Sequence, residues 1–284
     1  MYASGHTSIH TSHALQSSTS TTQQFNNSTP LTTLIVIPAR YASTRFPGKP
    51  LALLGGKPII QWVWERVSAM PVEAVVATDD SRILDAVHSF GGKAVMTRSD
   101  HHSGTDRCGE VLLALEAQGK HFDIVVNVQG DEPFVKQEQL ELLIDTFSNP
   151  DVQIATLKKH INSNEELCSP NNVKVVAGID DRALYFSRQP LPFVRGTEPN
   201  EWLQKQDYYK HIGIYAFRSE VLKKLIQLSQ SQLEKSESLE QLRWLENGFS
   251  IYVKETVFEN IGIDTPADLA IAEKALTLNS TNLP

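Results

Sequence analysis

The loop that follows the first apolar run of the chain is rich in side chains that bind phosphate. Arg40, Arg45 and Lys49 lie within twelve residues, 40–51, that contain hydroxyl groups and a glycine but no acidic residue. Arginine presents a planar fork of donors to phosphate oxygens, and lysine presents a mobile point charge. The alternative is a solvated surface loop. In a chain with a formal net charge of -7, this acid-free segment predicts a site for a polyanion such as a nucleoside triphosphate.

A second polar segment, residues 127–133, directly follows another apolar run. Within it, Gly130 permits close approach of the backbone, and Asp131 is well placed to hold Mg²⁺ against a triphosphate. Mg²⁺ usually takes one or two carboxylates together with substrate phosphates. The alternative is a turn that Asp131 stabilises.

A further carboxylate precedes the predicted C-terminal helix. Thr265 as N-cap, Pro266 in the first turn and Asp268 three residues after the cap account for the start of that helix. Asp264 is not needed for this cap, and it is therefore the second candidate ligand for a metal ion.

Other polar residues carry weaker signals. Ser103 and the free N–H groups beside it could cap a helix or receive an anionic ligand, and Asp80 could cap the preceding helix. Further residues fit structural roles as well as binding roles; they are Tyr185, Ser187, Arg188, His211, Glu240 and Gln241.

Strands and helices alternate through the first half of the chain. Continuous apolar runs, typical of strands buried on both faces, predict strands at 34–37, 72–77, 93–97 and 122–128. Helical spacing of apolar residues predicts helices at 59–67, 80–90 and 103–117. This order predicts a mostly parallel, Rossmann-like α/β sheet covered by helices on both faces, with ligands at the carboxyl ends of the strands.

The pattern loosens after residue 150. Strands are predicted at 154–157, 173–176, 184–187, 211–217 and 251–253, and helices at 219–228, 236–247 and from 266 onward. We predict a single domain over residues 34–284 that includes a mixed α/β extension at roughly 180–250.

The composition narrows the class of protein. A chain of 284 residues with 40% hydrophobic and 21% charged residues is typical of a globular protein. Its acidic balance argues against sequence-independent binding of nucleic acid. No apolar run approaches the ~18 residues of a transmembrane helix, so no membrane partner is expected. Cys108 and Cys168 are too few for a disulfide framework, which favours the reducing cytoplasm.

The N-terminal segment differs from the rest of the chain. Residues 1–30 hold 13 Ser or Thr and no Asp, Glu, Lys or Arg. Such a segment buries too little apolar surface to offset the entropy of ordering it. We therefore expect residues 1–33 to form a disordered tail, and they lack the basic and apolar regions of a signal peptide.

Taken together, the motifs resemble those of the 3-deoxy-manno-octulosonate cytidylyltransferases, or CMP-Kdo synthetases. They occur in the order of that family and span about residues 34–275. The segments that carry the resemblance are IPARYASTRFPGKPL (37–51), VATDD (76–80), SGTDR (103–107), NVQGDEP (127–133), ALYFSR (183–188), HIGIY (211–215), LEQLR (239–243) and GIDTP (262–266).

The resemblance implies a Mg²⁺-dependent nucleotidyltransferase, usually a homodimer built through its second half. Such an enzyme transfers CMP from CTP to 3-deoxy-manno-octulosonate (Kdo), with release of pyrophosphate, for lipopolysaccharide synthesis. The implied catalytic residues are Arg40, Arg45 and Lys49 on the triphosphate, with Asp131 and Asp264 on Mg²⁺. Residues implied to lie near the cytidine are Ala39, Asp79, Ser103 and Gly104. Residues implied to surround the sugar acid are Gln129, Tyr185, Ser187, Arg188, His211, Glu240 and Gln241.

Two other interpretations remain open at this point. One is the same transfer to another acidic sugar, such as 8-amino-Kdo or a sialic acid. The other is a non-catalytic protein that binds a nucleotide sugar, although a binder would not need both candidate metal carboxylates.

Overall fold

The computed structural model describes residues 31–280. Uninterrupted apolar runs form the strands at the centre of its sheet. The strands are β1 (Thr33–Ala39), β2 (Leu53–Leu54), β3 (Lys57–Pro58), β4 (Glu73–Thr78), β5 (Ala94–Met96), β6 (Ile124–Asn127), β7 (Ile154–His160), β8 (Lys174–Ala177), β9 (Ala183–Ser187), β10 (Tyr209–Arg218) and β11 (Ile251–Glu255). The helices are α1 (Ile59–Ser68), α2 (Ser81–Ser89), α3 (Gly104–Glu116), α4 (Gln137–Thr146), α5 (Asn164–Cys168), α6 (Ser219–Leu225), α7 (Gln232–Glu237), α8 (Glu240–Glu246) and α9 (Pro266–Ser280). Short 3-10 helices form at Lys49–Leu51 and Pro199–Gln204.

The main sheet has the strand order β11-β7-β10-β6-β1-β4-β5. Strands β6, β1, β4 and β5 are parallel to one another, as the alternation of strands and helices predicts. Strand β10 is antiparallel to both of its neighbours, β6 and β7. The mostly parallel α/β sheet is therefore confirmed, with one reversed strand near its middle.

Helices cover both faces of the sheet because successive side chains of a buried strand point to opposite faces. On β1, Ile35 and Ile37 pack in one apolar cluster with side chains of α1, α2 and α4. Leu34 and Val36 pack in the other cluster with side chains of α3, α6 and α8. Both faces of β1 are fully buried, so the strand sequence has no polar alternation.

Several elements differ from the sequence prediction. The single helix predicted at 236–247 is wrong: Ser238 adopts a left-handed conformation with φ 53° and ends α7. Leu239 is extended and precedes α8, so the chain turns a corner between two short helices. Helices α4 and α5 were not predicted. Residues 180–250, predicted as an extension, include β10, which pairs with β6 in the main sheet.

The first strand starts slightly before the predicted domain boundary at residue 34. Thr33 already belongs to β1, and the Thr32 N–H donates to Asp123 over 2.7 Å. The rest of the predicted tail, residues 1–30, lies outside the described residues. No helix within the described part of the chain is long and apolar enough to cross a membrane.

Candidate active site

Parallel pairing brings the carboxyl ends of three strands to one edge of the sheet. Ala39 at the end of β1 pairs with Thr78 at the end of β4, and Val36 pairs with Asn127 at the end of β6. The loops that follow these strands therefore meet at one edge, the usual position for a ligand in such sheets.

A cavity of about 280 Å³ opens at this edge. Nine residues that the sequence nominated line it, namely Ala39, Arg40, Arg45, Lys49, Ser103, Gly104, Gln129, Asp131 and Asp264. The structure thus gathers the predicted triphosphate and metal residues, and one predicted sugar residue, around one space.

Local backbone geometry directs Lys49 into this cavity. Gly48 has φ 71° and lies against the ring of Tyr41, where a Cβ would come within 3.0 Å of ring atoms. A left-handed residue in such close contact favours glycine. The short 3-10 helix that starts at Lys49 follows directly, with Pro50 in its first turn. Lys49 is consequently held in a fixed segment rather than in a free loop.

The centre of the site is a cluster of two carboxylates and two cations. Lys49 Nζ donates to Asp264 Oδ1 over 3.0 Å and also contacts Asp131 Oδ2. Arg45 Nη2 lies 3.0 Å from the other oxygen of Asp264. The predicted cap of α9 is confirmed, since Thr265 and Asp268 bond to each other, and it leaves the Asp264 carboxylate to face the cations.

Electrostatics favour the charged forms in this cluster. Burial on its own would lower the pKa of Lys49, but the two carboxylates outweigh it and raise that pKa. Burial would likewise raise the pKa of Asp264, yet Lys49 and Arg45 hold it below its usual value. In the residue after Asp131, burial together with the charges of Asp131 and Asp264 raises the pKa of Glu132 to about 8. Glu132 is therefore largely protonated near neutral pH and adds little negative charge.

Two residues predicted near the cytidine have structural partners. Ser103 caps α3 in a reciprocal capping box with Asp106 while still lining the cavity. Asp79 lies outside the cavity lining and pairs over 3.0 Å with Arg107, which does line it. Asp79 can thus act on a ligand through Arg107.

Six of the seven predicted sugar residues lie outside the cavity lining and remain predictions. Arg188 donates through Nε to the Glu237 carbonyl over 2.7 Å and through Nη1 to the Pro170 carbonyl over 2.9 Å. Ser187 donates to the Glu237 carboxylate over 2.6 Å. The full set outside the lining is Tyr185, Ser187, Arg188, His211, Glu240 and Gln241.

Glu240 is tied to the start of α3 rather than exposed on a solvated helix face. Thr105 Oγ1 donates to Glu240 Oε2 over 2.8 Å. Burial raises the pKa of Glu240 despite this contact. Because Thr105 follows Ser103 and Gly104, the bond places Glu240 close behind the cavity wall.

His211 is a partly buried, neutral side chain. Its Nε2 lies 2.9 Å from Thr156 Oγ1, and its ring contacts the rings of Phe186 and Tyr215. Burial lowers the pKa of His211 to about 3.

This burial predicts a specific acid sensitivity. Below about pH 6.5 the unfolded chain binds a proton at His211 that the folded chain does not bind, so stability falls as the pH falls. Between about pH 7.5 and pH 5.5, the free energy of unfolding of the wild type should fall by about 1 kcal/mol more than that of His211→Gln. Urea unfolding at both pH values measures this. The exposed His88→Gln variant should behave like the wild type, and parallel losses in wild type and His211→Gln would contradict the prediction.

Among the cavity residues not nominated from the sequence, three carry basic side chains, namely His101, His102 and Arg107. His101 Nε2 contacts Glu110 on α3, and Glu110 also accepts from the Arg98 backbone N–H over 3.1 Å. The only sequence signal for the two histidines was their position directly before the Ser103 cap. That position alone does not show on which side of the loop the rings lie.

Comparison with known proteins places this fold and site in a class. Residues 34–257 match a family model described as cytidylyltransferase, so the chain is a nucleotidyltransferase. It is 57% identical over 244 residues to the 3-deoxy-manno-octulosonate cytidylyltransferase of Phocaeicola vulgatus, covering 85% of this chain and 96% of that protein. The corresponding protein of Thermodesulfovibrio yellowstonii is 51% identical over 255 residues, covering 88% of this chain and 100% of that protein. A solved structure of CMP:2-keto-3-deoxy-manno-octonic acid synthetase complexed with CTP superposes with a TM-score of 0.79 at 43% identity, covering 87% of this chain and 99% of that one. The chain belongs to the 3-deoxy-manno-octulosonate cytidylyltransferase family.

Proposed function

We propose that this protein transfers CMP from CTP to Kdo and releases pyrophosphate, providing activated Kdo for lipopolysaccharide synthesis. The observation that carries the proposal is the cavity at the carboxyl ends of β1 and β6, which joins the three cations of the loop after β1 to a pair of carboxylates. The family membership of the chain supplies the identity of the two substrates.

In the proposed reaction, the anomeric hydroxyl oxygen of Kdo forms a bond to the α-phosphorus of CTP. The bond from that phosphorus to the pyrophosphate oxygen breaks, and the hydroxyl proton passes to solvent. Negative charge builds on the phosphate oxygens, where fixed cations stabilise it most effectively. Arg40, Arg45 and Lys49 line the cavity in positions to carry out this role. They also offset the repulsion between a triphosphate and a sugar acid.

Asp131 and Asp264 fit a divalent cation, because their carboxylates already converge on one positive charge, the ammonium of Lys49. Mg²⁺ prefers carboxylate oxygens together with phosphate oxygens. We propose that these two residues hold Mg²⁺, which when bound neutralises charge on the phosphates.

The sugar acid is proposed to lie beside Gln129, with Tyr185, Ser187, Arg188, His211, Glu240 and Gln241 nearby. Gln129 lines the cavity, and Glu240 reaches its wall through Thr105. For Arg188 to bind the sugar carboxylate, it must give up its contacts to backbone carbonyls. A bidentate charged contact would replace those neutral bonds with stronger ones.

Release of pyrophosphate by the purified full chain tests the proposed function. We expect release with CTP, Kdo and Mg²⁺ together, but none when ATP, GTP or UTP replaces CTP, and none with EDTA. Release with 8-amino-Kdo or N-acetylneuraminate but not with Kdo would keep the chemistry and change the substrate. Binding of CTP without release for any sugar would support the non-catalytic alternative.

Gly130 offers a separate test of the cavity geometry. Its N–H donates to the Pro38 carbonyl over 3.2 Å, and a Cβ at this position would lie 2.8 Å from that same oxygen. Gly130→Ala should push the loop carrying Asp131 out of place and lower the rate of pyrophosphate release by about tenfold to a hundredfold. A matched control is Gly213→Ala in β10, where an added Cβ meets nothing within 4 Å. Equal rates in the two variants would contradict the prediction.

We also propose that the protein forms a homodimer through its second half. Large apolar side chains there are exposed, including Ile179, Leu184 and Phe193. Such side chains on a surface often mark an interface with another chain. Light scattering of the purified protein should give the mass of two chains, and the mass of one chain would refute the proposal.

A further inference from the structure

The ammonium of Lys49 lies where a metal ion would bind. It contacts one oxygen of Asp131 and one oxygen of Asp264, and the fold brings these aspartates together from the middle and the C-terminal part of the chain. The Lys49 side chain is 11% exposed, so the contact is largely shielded from water. No other lysine ammonium in the described part of the chain contacts both of these carboxylates.

We propose that Lys49 is a built-in substitute for the metal ion, occupying the cation position between Asp131 and Asp264 until a divalent cation and a triphosphate displace it. This inference rests on the proposed function, in which these two aspartates are the cation ligands. It adds that Lys49 competes with the divalent cation in the nucleotide-free protein and moves to the phosphates when the nucleotide binds.

The balance of charge supports this competition. In the nucleotide-free site, Lys49 and Arg45 supply two positive charges, and Asp131 and Asp264 supply two negative charges. The cluster is therefore already compensated, and a divalent cation that enters has to displace an ammonium from the same oxygen atoms.

Lys49 can also reach the phosphates of a bound triphosphate. Its 3-10 helix lies along the cavity wall that also carries Arg40 and Arg45. A flexible four-carbon side chain with three rotatable donors can turn from a carboxylate to a phosphate without movement of its backbone. A triphosphate that attracts Lys49 would free both carboxylates, so that nucleotide and metal each strengthen the binding of the other.

Mn²⁺ binding to the nucleotide-free full chain, followed by the electron paramagnetic resonance signal of free Mn²⁺, tests the inference. Lys49→Met should bind Mn²⁺ about tenfold more tightly than the wild type, within the range usual for coupled sites. Lys49→Arg, which keeps the charge, should stay close to the wild type. Arg40→Met removes a cation from the same cavity without vacating the position between the carboxylates, and should change the affinity by less than about threefold.

Three results would overturn the inference. They are an unchanged or weaker affinity in Lys49→Met, an equal gain in Arg40→Met, and Mn²⁺ binding that Asp131→Asn does not weaken. None of these measurements uses Kdo or turnover. The inference can therefore fail while pyrophosphate release succeeds, and pyrophosphate release can fail while the inference holds.

A second measurement needs no variant and covers the case in which Lys49→Met fails to fold. Acetic anhydride acetylates accessible lysine side chains through their neutral amine, with release of acetate, and mass spectrometry reports the fraction labelled at each lysine. Saturating Mn²⁺ without nucleotide should raise the labelling of Lys49 several-fold, because the ion drives the side chain out of its contact. Labelling of Lys57, which pairs with Glu65 outside the cavity, should not change. If Mn²⁺ leaves the labelling of Lys49 unchanged, the inference is overturned.

Discussion

Asp131→Asn and Asp264→Asn should each lower the rate of pyrophosphate release by about 10²- to 10³-fold, the cost usual for removing one preorganised electrostatic group from an active site. An asparagine keeps the size of the side chain but loses the negative charge that binds a cation. Lys49 and Arg45 would then face a single carboxylate, and the site would carry an excess positive charge instead of a compensated cluster.

The double variant, in which both Asp131 and Asp264 are replaced by asparagine, should lose more activity than either single variant. With both carboxylates removed, we expect no release above background at any Mg²⁺ concentration, while the single variants recover partly as Mg²⁺ is raised. Asp145→Asn, an exposed position on α4, is the matched control and should retain the wild-type rate. Turnover retained by the double variant would eliminate metal assistance through these residues.

Features encoded by neighbouring residues could be predicted from the sequence. The run Leu34–Ile37 is apolar on both faces because β1 is buried between two helical layers, and the cation-rich loop comes directly after it. Gly248 directly follows a helical segment, where glycine is the usual left-handed residue, and it has φ 80°. The pairing of the predicted parallel strands then brings the loops that follow them to one edge of the sheet. No contact between distant residues has to be known to predict this.

Contacts between distant residues could not be predicted in the same way. Lys49 and Asp264 are 215 positions apart, and nothing in their spacing shows that one donates to the other. The corner at Ser238 was missed because a serine in the left-handed conformation has none of the glycine or proline signal that marks such turns. The contact between Thr105 and Glu240 depends on that corner, so the sequence could not show this partner of Glu240.

The corner between α7 and α8 rests on a buried ion pair, and breaking that pair should destabilise the whole domain. Glu234 and Arg243 are 6% and 5% exposed. Arg243 donates through Nε over 2.7 Å and through Nη2 over 2.5 Å to the two oxygens of Glu234. Burial alone would raise the pKa of Glu234, but Arg243 outweighs it and holds that pKa below its usual value. The pair is therefore charged at neutral pH, and each partner depends on the other.

Glu234→Ala should lower the free energy of unfolding by about 3–5 kcal/mol, because it leaves an arginine buried without its counter-charge. Urea unfolding at neutral pH measures the loss. Asp100→Ala, which removes the exposed pair between Arg98 and Asp100, should cost less than about 1 kcal/mol. Replacing Glu234 and Arg243 together with leucine should recover much of the loss, since no unpaired charge remains buried. A loss below about 1 kcal/mol in Glu234→Ala would mean that water reaches Arg243 and that the corner does not depend on the pair.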